Sequence, residues 1–416
     1  MPHAAPRTPV HRAAPFHVLQ NTVQRYDWGS RTAIQELLGH EVDGRPAAEL
    51  WMGAHPMAPS RVASGGTLAD LVRAEPLAVL GRRVLDDYGP RLPYLFKVLA
   101  AERALSLQVH PRPHLARAGF NRENREGVAR DSPLRSFHDD QHKPEMVVAL
   151  TRFEGLSGFR RPVRILRLLD GVEGELAARM RGALAARPTE AGVREAFTLV
   201  LHARSEPDVA ADLARSVASV RARYEAGASP SVRGDATVLA LADQHPGDPG
   251  ALVSLMLNRV TLEPGESMFV PSGHVHAYLS GCAVEVMASS DNVLRAGLTS
   301  KRVDVDALLE CATCAPGPAA RPRVSLDATS GLTTYRPPVA EFALRAGRVA
   351  AGAVAELPDA GPRVVLCLAG EVVLTGGSGA TRADVTLARG ESVFVPHSTG
   401  PLAARGSGQV VVAYVP

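Results

Sequence analysis

Leu262-Glu-Pro-Gly-Glu-Ser-Met-Phe-Val-Pro271 returns near the far end of the chain as Leu387-Ala-Arg-Gly-Glu-Ser-Val-Phe-Val-Pro396. In both, Gly-Glu precedes alternating apolar positions and a proline, which predicts a tight turn feeding a short strand. An internal repeat of this kind points to two copies of one β unit. The copies diverge just beyond it. The first continues Ser272-Gly-His-Val-His276 and the second His397-Ser-Thr-Gly-Pro401, so Pro401 falls opposite His276. Proline has no side-chain donor atom, and the second unit is therefore read as structural.

Outward from the repeat, the chain divides by pattern. Residues 16–158 carry strand-like runs, among them Phe16–Leu19, Leu95–Leu99, Ser106–His110 and Glu145–Ala149, with helical patterns at Thr32–Leu38 and Leu68–Ala74. Segment 111–142 is polar and charged; it reads as a long loop with room for one helix, and loops of that length are often functional. From 160 to 250 the period changes. Ile165, Leu169, Val172, Leu176, Met180 and Leu184 recur every three or four residues, as on one face of an amphipathic helix. Val209, Leu213, Val217, Val220 and Tyr224 do the same, and Pro188-Thr189-Glu190 and Pro207-Asp208 resemble helix starts. Strand character returns near Leu255. The expected fold is mainly β with an inserted α-helical domain: a disordered tail at 1–15, a first barrel from 16–158 with 251–315, a helical domain at 159–250 and a second barrel at 320–416.

Bulk properties narrow the function. At 416 residues the chain has room for two or three domains with large cores. Hydrophobic residues make up 45% and charged residues 21%, an ordinary globular balance. The net charge of +3 and the absence of a Lys/Arg block argue against nucleic acid as a partner. Residues 1–15 lack the apolar run of a signal peptide, and no stretch approaches the length of a membrane span, so a cytoplasmic monomer without a membrane partner is expected. Four cysteines are too few for a disulfide scaffold. Cys311-Ala-Thr-Cys314 has the spacing of a redox or zinc pair, but no second such pair exists, and it reads as structural.

Three segments could supply metal donors. On a strand, residues i and i+2 share a face, so Gln108 and His110 would point together. Glu145 follows His142-Lys-Pro and opens an apolar run, and His274-Val-His276 opens a third strand. Imidazoles, a carboxylate and an amide oxygen suit zinc or another divalent ion, with positions left open for water or substrate. A histidine on a strand is nonetheless more often a packed residue, and spacing alone leaves His274 and His276 equivalent.

Seven ordered motifs then carry a resemblance. They are Tyr26-Asp-Trp-Gly29, Glu49-Leu-Trp-Met-Gly-Ala-His-Pro56, Leu92-Pro-Tyr-Leu-Phe-Lys-Val-Leu99, Leu105-Ser-Leu-Gln-Val-His-Pro111, His142-Lys-Pro-Glu145, Val270-Pro-Ser-Gly-His-Val-His-Ala-Tyr278 and Val284-Glu-Val-Met-Ala-Ser-Ser-Asp-Asn-Val-Leu-Arg-Ala-Gly297. Together they resemble the type I mannose-6-phosphate isomerases over about residues 16–310. That resemblance implies two cupin-like jelly-roll barrels and a helical module. It also implies one zinc ion held by Gln108, His110, Glu145 and His276, and places active-site residues at Lys143, Arg295, Lys301, Ser106, Glu285 and Asp291. The pair His274/His276 departs from the single histidine usual there, and the C-terminal barrel matches only in general cupin character.

The implied reaction moves a proton between C1 and C2 of a sugar phosphate, most simply through a cis-enediol. A divalent cation supplies electrophilic help to the carbonyl, and the proton needs a base near working pH. Glu285 is the first choice, with His142, Lys143 and Asp291 as further candidates. Arg295 and Lys301 suit a phosphate, with Ser106 and Lys97 close by in the motif map. Trp28, Glu49 and Trp51 lie in motifs of the same pocket. Two other classes stand beside this reading: another metal-dependent cupin enzyme such as a dioxygenase, and a non-catalytic sugar-phosphate-binding regulator.

Overall fold

A computed structural model describes residues 14–63 and 65–416. The expected tail at 1–15 thus lies largely outside the described residues; at its end, the Pro15 carbonyl accepts a hydrogen bond from the Thr399 hydroxyl at 2.9 Å. Helix makes up 30% and strand 31%, consistent with a β protein carrying a helical module. The strands form two antiparallel ten-stranded sheets.

Each copy of the repeat forms the expected turn and strand, Ser267–Val270 and Ser392–Val395, one in each sheet. In the first sheet the long strand His276–Ala288 is shared between two sets of partners. Its first residues pair with Phe153–Phe159 and with Gln108; after a register shift at Tyr278/Ser280, its remainder pairs with Tyr94–Ala101 and Glu145–Ala149. Gly281, with φ of 108°, sits at the bend, where an added Cβ would meet the Arg152 carbonyl. In the second sheet, Arg363–Gly376 runs beside Leu402–Tyr414 with a similar irregularity at Cys367/Ala369. The strand His17–Gln20 crosses over. Although Phe16–Leu19 reads as part of the first β region, His17 and Val18 pair with Phe394 and Val393 of the second sheet.

Helices fill the stretch between the β segments: Pro162–Leu169, Glu175–Ala186, Glu190–Ala203, Val209–Glu225, Val232–Gln244 and Gly250–Met256. Thr189 and Asp208 sit at the expected helix starts. The apolar stripe from Ile165 to Leu184 is buried throughout, but it spans two helices instead of one. Gly171 and Gly174 adopt positive φ (69° and 106°) and break the helix while keeping the stripe on one side. On Val209–Glu225 the stripe runs through Val220, whereas Tyr224 is exposed. Segment 111–142 contains the helix Pro113–Arg125.

The core explains what positions the site. One apolar cluster packs these helices against Leu107, Val109, Val275, Ala277, Leu294 and Ala296. Another joins the two sheets, combining Leu50, Phe96, Val98, Met146, Val284 and Val286 with Phe342, Leu344, Val364, Phe394 and Val411. Because successive strand residues face opposite ways, the alternate positions are turned away from both cores. Those positions hold the polar motif residues. All four cysteines are free and buried; burial pushes Cys311 up to about 12 and Cys314 up to about 11, as befits packing residues.

Candidate metal centre and its pocket

His110, Glu145 and His276 come together from three segments far apart in sequence. Their ligand atoms all lie within 4.8 Å of one another, and all three residues are buried. His110 Nε2 stands 3.1 Å from Glu145 Oε1, and His276 Nε2 stands 3.3 Å from Oε2. Gln108 is directly across the ladder from His276, and also from Arg295.

The tautomers follow from the main chain. A carbonyl can only accept, so His110 Nδ1–H donates to Asn292 O at 2.6 Å, and His276 Nδ1–H donates to His274 O at 3.1 Å. In the neutral rings both Nε2 atoms then turn lone pairs toward the same carboxylate. Both are buried without a hydrogen-bond partner. Such an arrangement is repulsive until a cation joins it, and Nδ1–H bonds to carbonyls are the usual means of orienting imidazole ligands. The donor set therefore fits a divalent metal. Burial drives His110 down to about 4, which keeps it neutral as a ligand must be. Burial opposes the charge on Glu145, but the charged groups around it, Lys143 among them, outweigh that and hold the carboxyl well below its usual range. Lys143 Nζ is 3.2 Å from Glu145 Oε1.

The expectation that His274 and His276 share a strand face meets a local correction. The strand begins at His276, and His274 lies in the preceding turn, so the two-residue period does not apply. His276 joins the cluster; His274 contributes its carbonyl.

Beside the donors is a second buried group. Lys97 Nζ lies 3.4 Å from Glu49 Oε1 and 3.2 Å from Glu285 Oε2, and 5.1 Å from the centroid of the Trp51 ring. The Trp51 indole N–H donates to Glu49 Oε2 at 2.7 Å. Burial pulls Lys97 down, but Glu49, Glu285 and Glu145 outweigh it and raise it above the ordinary lysine range. Burial pushes Glu285 up to about 7; Lys97 opposes this, and Glu145 and Glu49 add to it. A carboxyl poised near neutrality in a buried pocket is what proton transfer at carbon requires.

The remaining predicted residues separate. Arg295 is half-buried on Leu294–Gly297, and burial alone lowers it, with no carboxylate set against it. Ser106 precedes the strand that carries Gln108, and Lys301 is exposed. Trp28 stacks on Tyr26 at 5.6 Å. His142 turns elsewhere: its Nε2 is 2.7 Å from Glu341 Oε1, a residue of the second β region. Asp291 does not hold Arg295; its Oδ1 lies 3.4 Å from His55 Nε2. Sequence reasoning missed His55, Tyr278, Asn292, Asp139 and Glu341. His55, Tyr278 and Asn292 lie within the family motifs, which is the only signal the sequence offers for them. Tyr278 OH donates to Glu145 Oε2 at 3.2 Å. The buried Asn292 amide donates to Asp139 O and Gln141 O, both at 2.8 Å, and so ties the loop before Glu145 to the carbonyl that orients His110.

Comparison with known proteins agrees with this geometry. A family model described as the catalytic domain of type I phosphomannose isomerase matches residues 16–162. The chain is 35% identical to the mannose-6-phosphate isomerase of Escherichia coli strain K12 over 403 residues, covering 95% of this chain and 98% of the relative. It is 35% identical to that of Bos taurus over 407 residues, with 91% and 92% covered. Its fold is similar to the crystal structure of mannose 6-phosphate isomerase from Salmonella typhimurium bound to substrate (F6P) and zinc. The TM-score is 0.85 at 34% identity, with 97% of this chain and all of that chain covered.

Proposed function

The chain belongs to the type I phosphomannose isomerase family, and we propose from that premise that it interconverts mannose 6-phosphate and fructose 6-phosphate at the His110–Glu145–His276 centre. The observation that carries the reading is the pair of buried, unpartnered Nε2 atoms facing Glu145, with the Lys97–Glu285–Glu49 group alongside. The zinc-bound relatives support the choice of metal. Gln108, His110, Glu145 and His276 would hold one zinc ion, though other divalent ions suit the same donors. When bound, such an ion would supply Lewis acidity to the substrate carbonyl.

The chain's own residues do the rest. Glu285 takes the proton from one of the two carbons and returns it to the other, by way of a cis-enediol, while the hydroxyl proton on one of the two oxygens passes to the other. Lys97 and Glu49 hold Glu285 in place, and Asp291 and Lys143 face the substrate hydroxyls. Arg295, with Lys301 and Ser106, takes the phosphate, which carries nearly two negative charges at pH 7. Trp28 and Trp51 wall the pocket. His142 braces the loop through Glu341. We further propose that the two sheet systems are cupin-like barrels, with the shared strand His276–Ala288 forming a corner of the first. The helices of 159–250 form a domain of their own, 320–416 forms the second barrel without metal, and the protein works as a cytoplasmic monomer. No described helix is long and apolar enough to cross a membrane.

A coupled assay on mannose 6-phosphate, run with metal analysis of the same sample, tests this. Isomerisation with about one zinc per chain, abolished by chelation and restored by zinc, is expected. Turnover in a demonstrably metal-free sample, or none in a zinc-loaded one, would refute it.

A further inference from the structure

His55 is 3% exposed and has no place in the chemistry above. It follows the strand Glu49–Met52, and its ring stands edge-on to Trp51, with centroids 5.0 Å apart at 78°. The Met57 backbone N–H donates to His55 Nδ1 at 3.3 Å. Nδ1 is therefore an acceptor, and the single proton of the neutral ring sits on Nε2. Nε2 lies 3.4 Å from Asp291 Oδ1.

We propose that His55 is a positioning residue for Asp291, fixing one carboxylate oxygen through Nε2–H and leaving the other for the substrate. The inference rests on the reading of Asp291 as a group that faces substrate. The main chain of Asp291 is already anchored, since its N–H donates to Asp139 Oδ2 at 2.8 Å, and Asp139 is in turn bonded by Ser290. Its side chain is 43% exposed, and a carboxylate open to water samples several rotamers unless a donor selects one. The imidazole is that donor. Burial lowers its pKa, and Lys97 and Lys143 act in the same direction against Asp291, so it stays neutral with its tautomer set by the Met57 amide. The other charged or titratable groups facing Asp291 are Tyr26 and Asp139, both of which its charge raises, and neither replaces the donor.

Three variants and a double mutant test this on the zinc-loaded protein. In His55→Ala, kcat should fall by about 10–100-fold, because a misplaced reacting group loses rate steeply. KM should stay within about threefold. Zinc content should be unchanged. In His55→Gln, whose amide can donate, most of the rate should return. Asp291→Asn should be impaired, and adding His55→Ala to it should cost little more. A Gln variant as poor as the Ala variant, a loss of zinc, or fully additive losses in the double variant would each overturn the proposal. Full activity in Asp291→Asn would instead refute the role given to Asp291, and absence of isomerisation in the wild type would refute the function itself.

Discussion

The turn at Gly265–Glu266 and the turn at Gly390–Glu391 share their hydrogen bonding and differ in what their strands face. In the first, Glu266 N–H donates to Glu263 O and Glu266 Oε2 accepts from Glu263 N–H, both at 2.9 Å. In the second, Glu391 repeats both bonds with Ala388, at 3.0 and 2.8 Å. The glycines have φ of 87° and 85°, and each donates its N–H at 2.8 Å to the neighbouring strand. Pairing then exposes the divergence. Val270 lies opposite Glu145, whereas Val395 lies opposite Arg363. Lys97 pairs with Glu285, whereas at the matching place Arg345 pairs with Val412. Gln108 faces His276, while the register Leu357↔Leu402, continued one step, sets Pro358 against Pro401. The scaffold lives in the turn and main chain, which both copies keep. On the proposed reading the chemistry lives in a few side chains; at the places matching Gln108, His276, Glu145, Lys97 and Glu285 the second copy has Pro358, Pro401, Arg363, Arg345 and Val412.

The largest effect expected from this contrast concerns the metal. Glu145→Gln or His276→Ala should release zinc and reduce activity to background, since on the proposed reading each removes a buried ligand. Arg363→Glu restores a carboxylate at the matching place but should bind no zinc, because neither Pro358 nor Pro401 can join it. Metal analysis of Arg363→Glu on a background lacking the first site is the check. Zinc there would mean that the two units differ less than their donors suggest.

Two arginines sharpen the comparison next. Arg363 is fully buried, and its guanidinium donates to Pro358 O, Gly400 O and Pro396 O at 2.9, 2.7 and 2.5 Å. Arg363→Met should cost about 3 kcal/mol of stability through three stranded acceptors, seen as a lower Tm, with zinc retained. Arg295, half-buried with no carboxylate against it, should behave inversely. Arg295→Ala should reduce kcat/KM for mannose 6-phosphate by about 10²-fold or more without loss of zinc, and Arg295→Lys should recover part of it. If Arg295→Ala impaired unphosphorylated mannose equally, the residue would belong to proton transfer and not to phosphate binding.

A smaller and graded effect comes from pH. Glu285 must be ionised to act as base, and its carboxyl stands at about 7 without metal. Below its limb, kcat/KM should fall about tenfold per pH unit, and a bound cation nearby should draw the limb to lower pH. The sign is fixed: activity is lost as pH falls, not as it rises. A profile flat from pH 5 to 8 would remove Glu285 from the role of base.

Legibility in the sequence followed the same division. The turn-strand repeat, the helix starts at Thr189 and Asp208, and the displacement of His276 by Pro401 could be read directly, because each depends on neighbouring residues. Residues that act across the fold could not. Arg363 looked like one more arginine until the register set it opposite Val395. His142 sits in the same motif as Lys143, yet it turns to Glu341, about 200 residues away. The helix break at Gly171 was visible as a glycine, but the apolar period ran through it because both helices pack on one core.

The smallest effect should be that of His274→Ala, and it tests whether the turn is read correctly. What His274 gives the centre is its carbonyl, which accepts from His276 Nδ1 at 3.1 Å, and a backbone carbonyl survives substitution. The ring itself contributes no such bond: its Nδ1 is buried without a partner, and burial lowers its pKa. Removing it leaves a small space beside Gly158, a modest packing loss offset in part by removal of an unsatisfied polar atom. Zinc content should therefore match wild type, and kcat/KM should stay within about threefold. In the second unit the matching residue is Thr399, whose hydroxyl donates to Pro15 O and serves only to pin the chain. A loss of zinc in His274→Ala equal to that in His276→Ala would place both rings on the metal, and the first turn would then differ from the second in its geometry as well as in its donors.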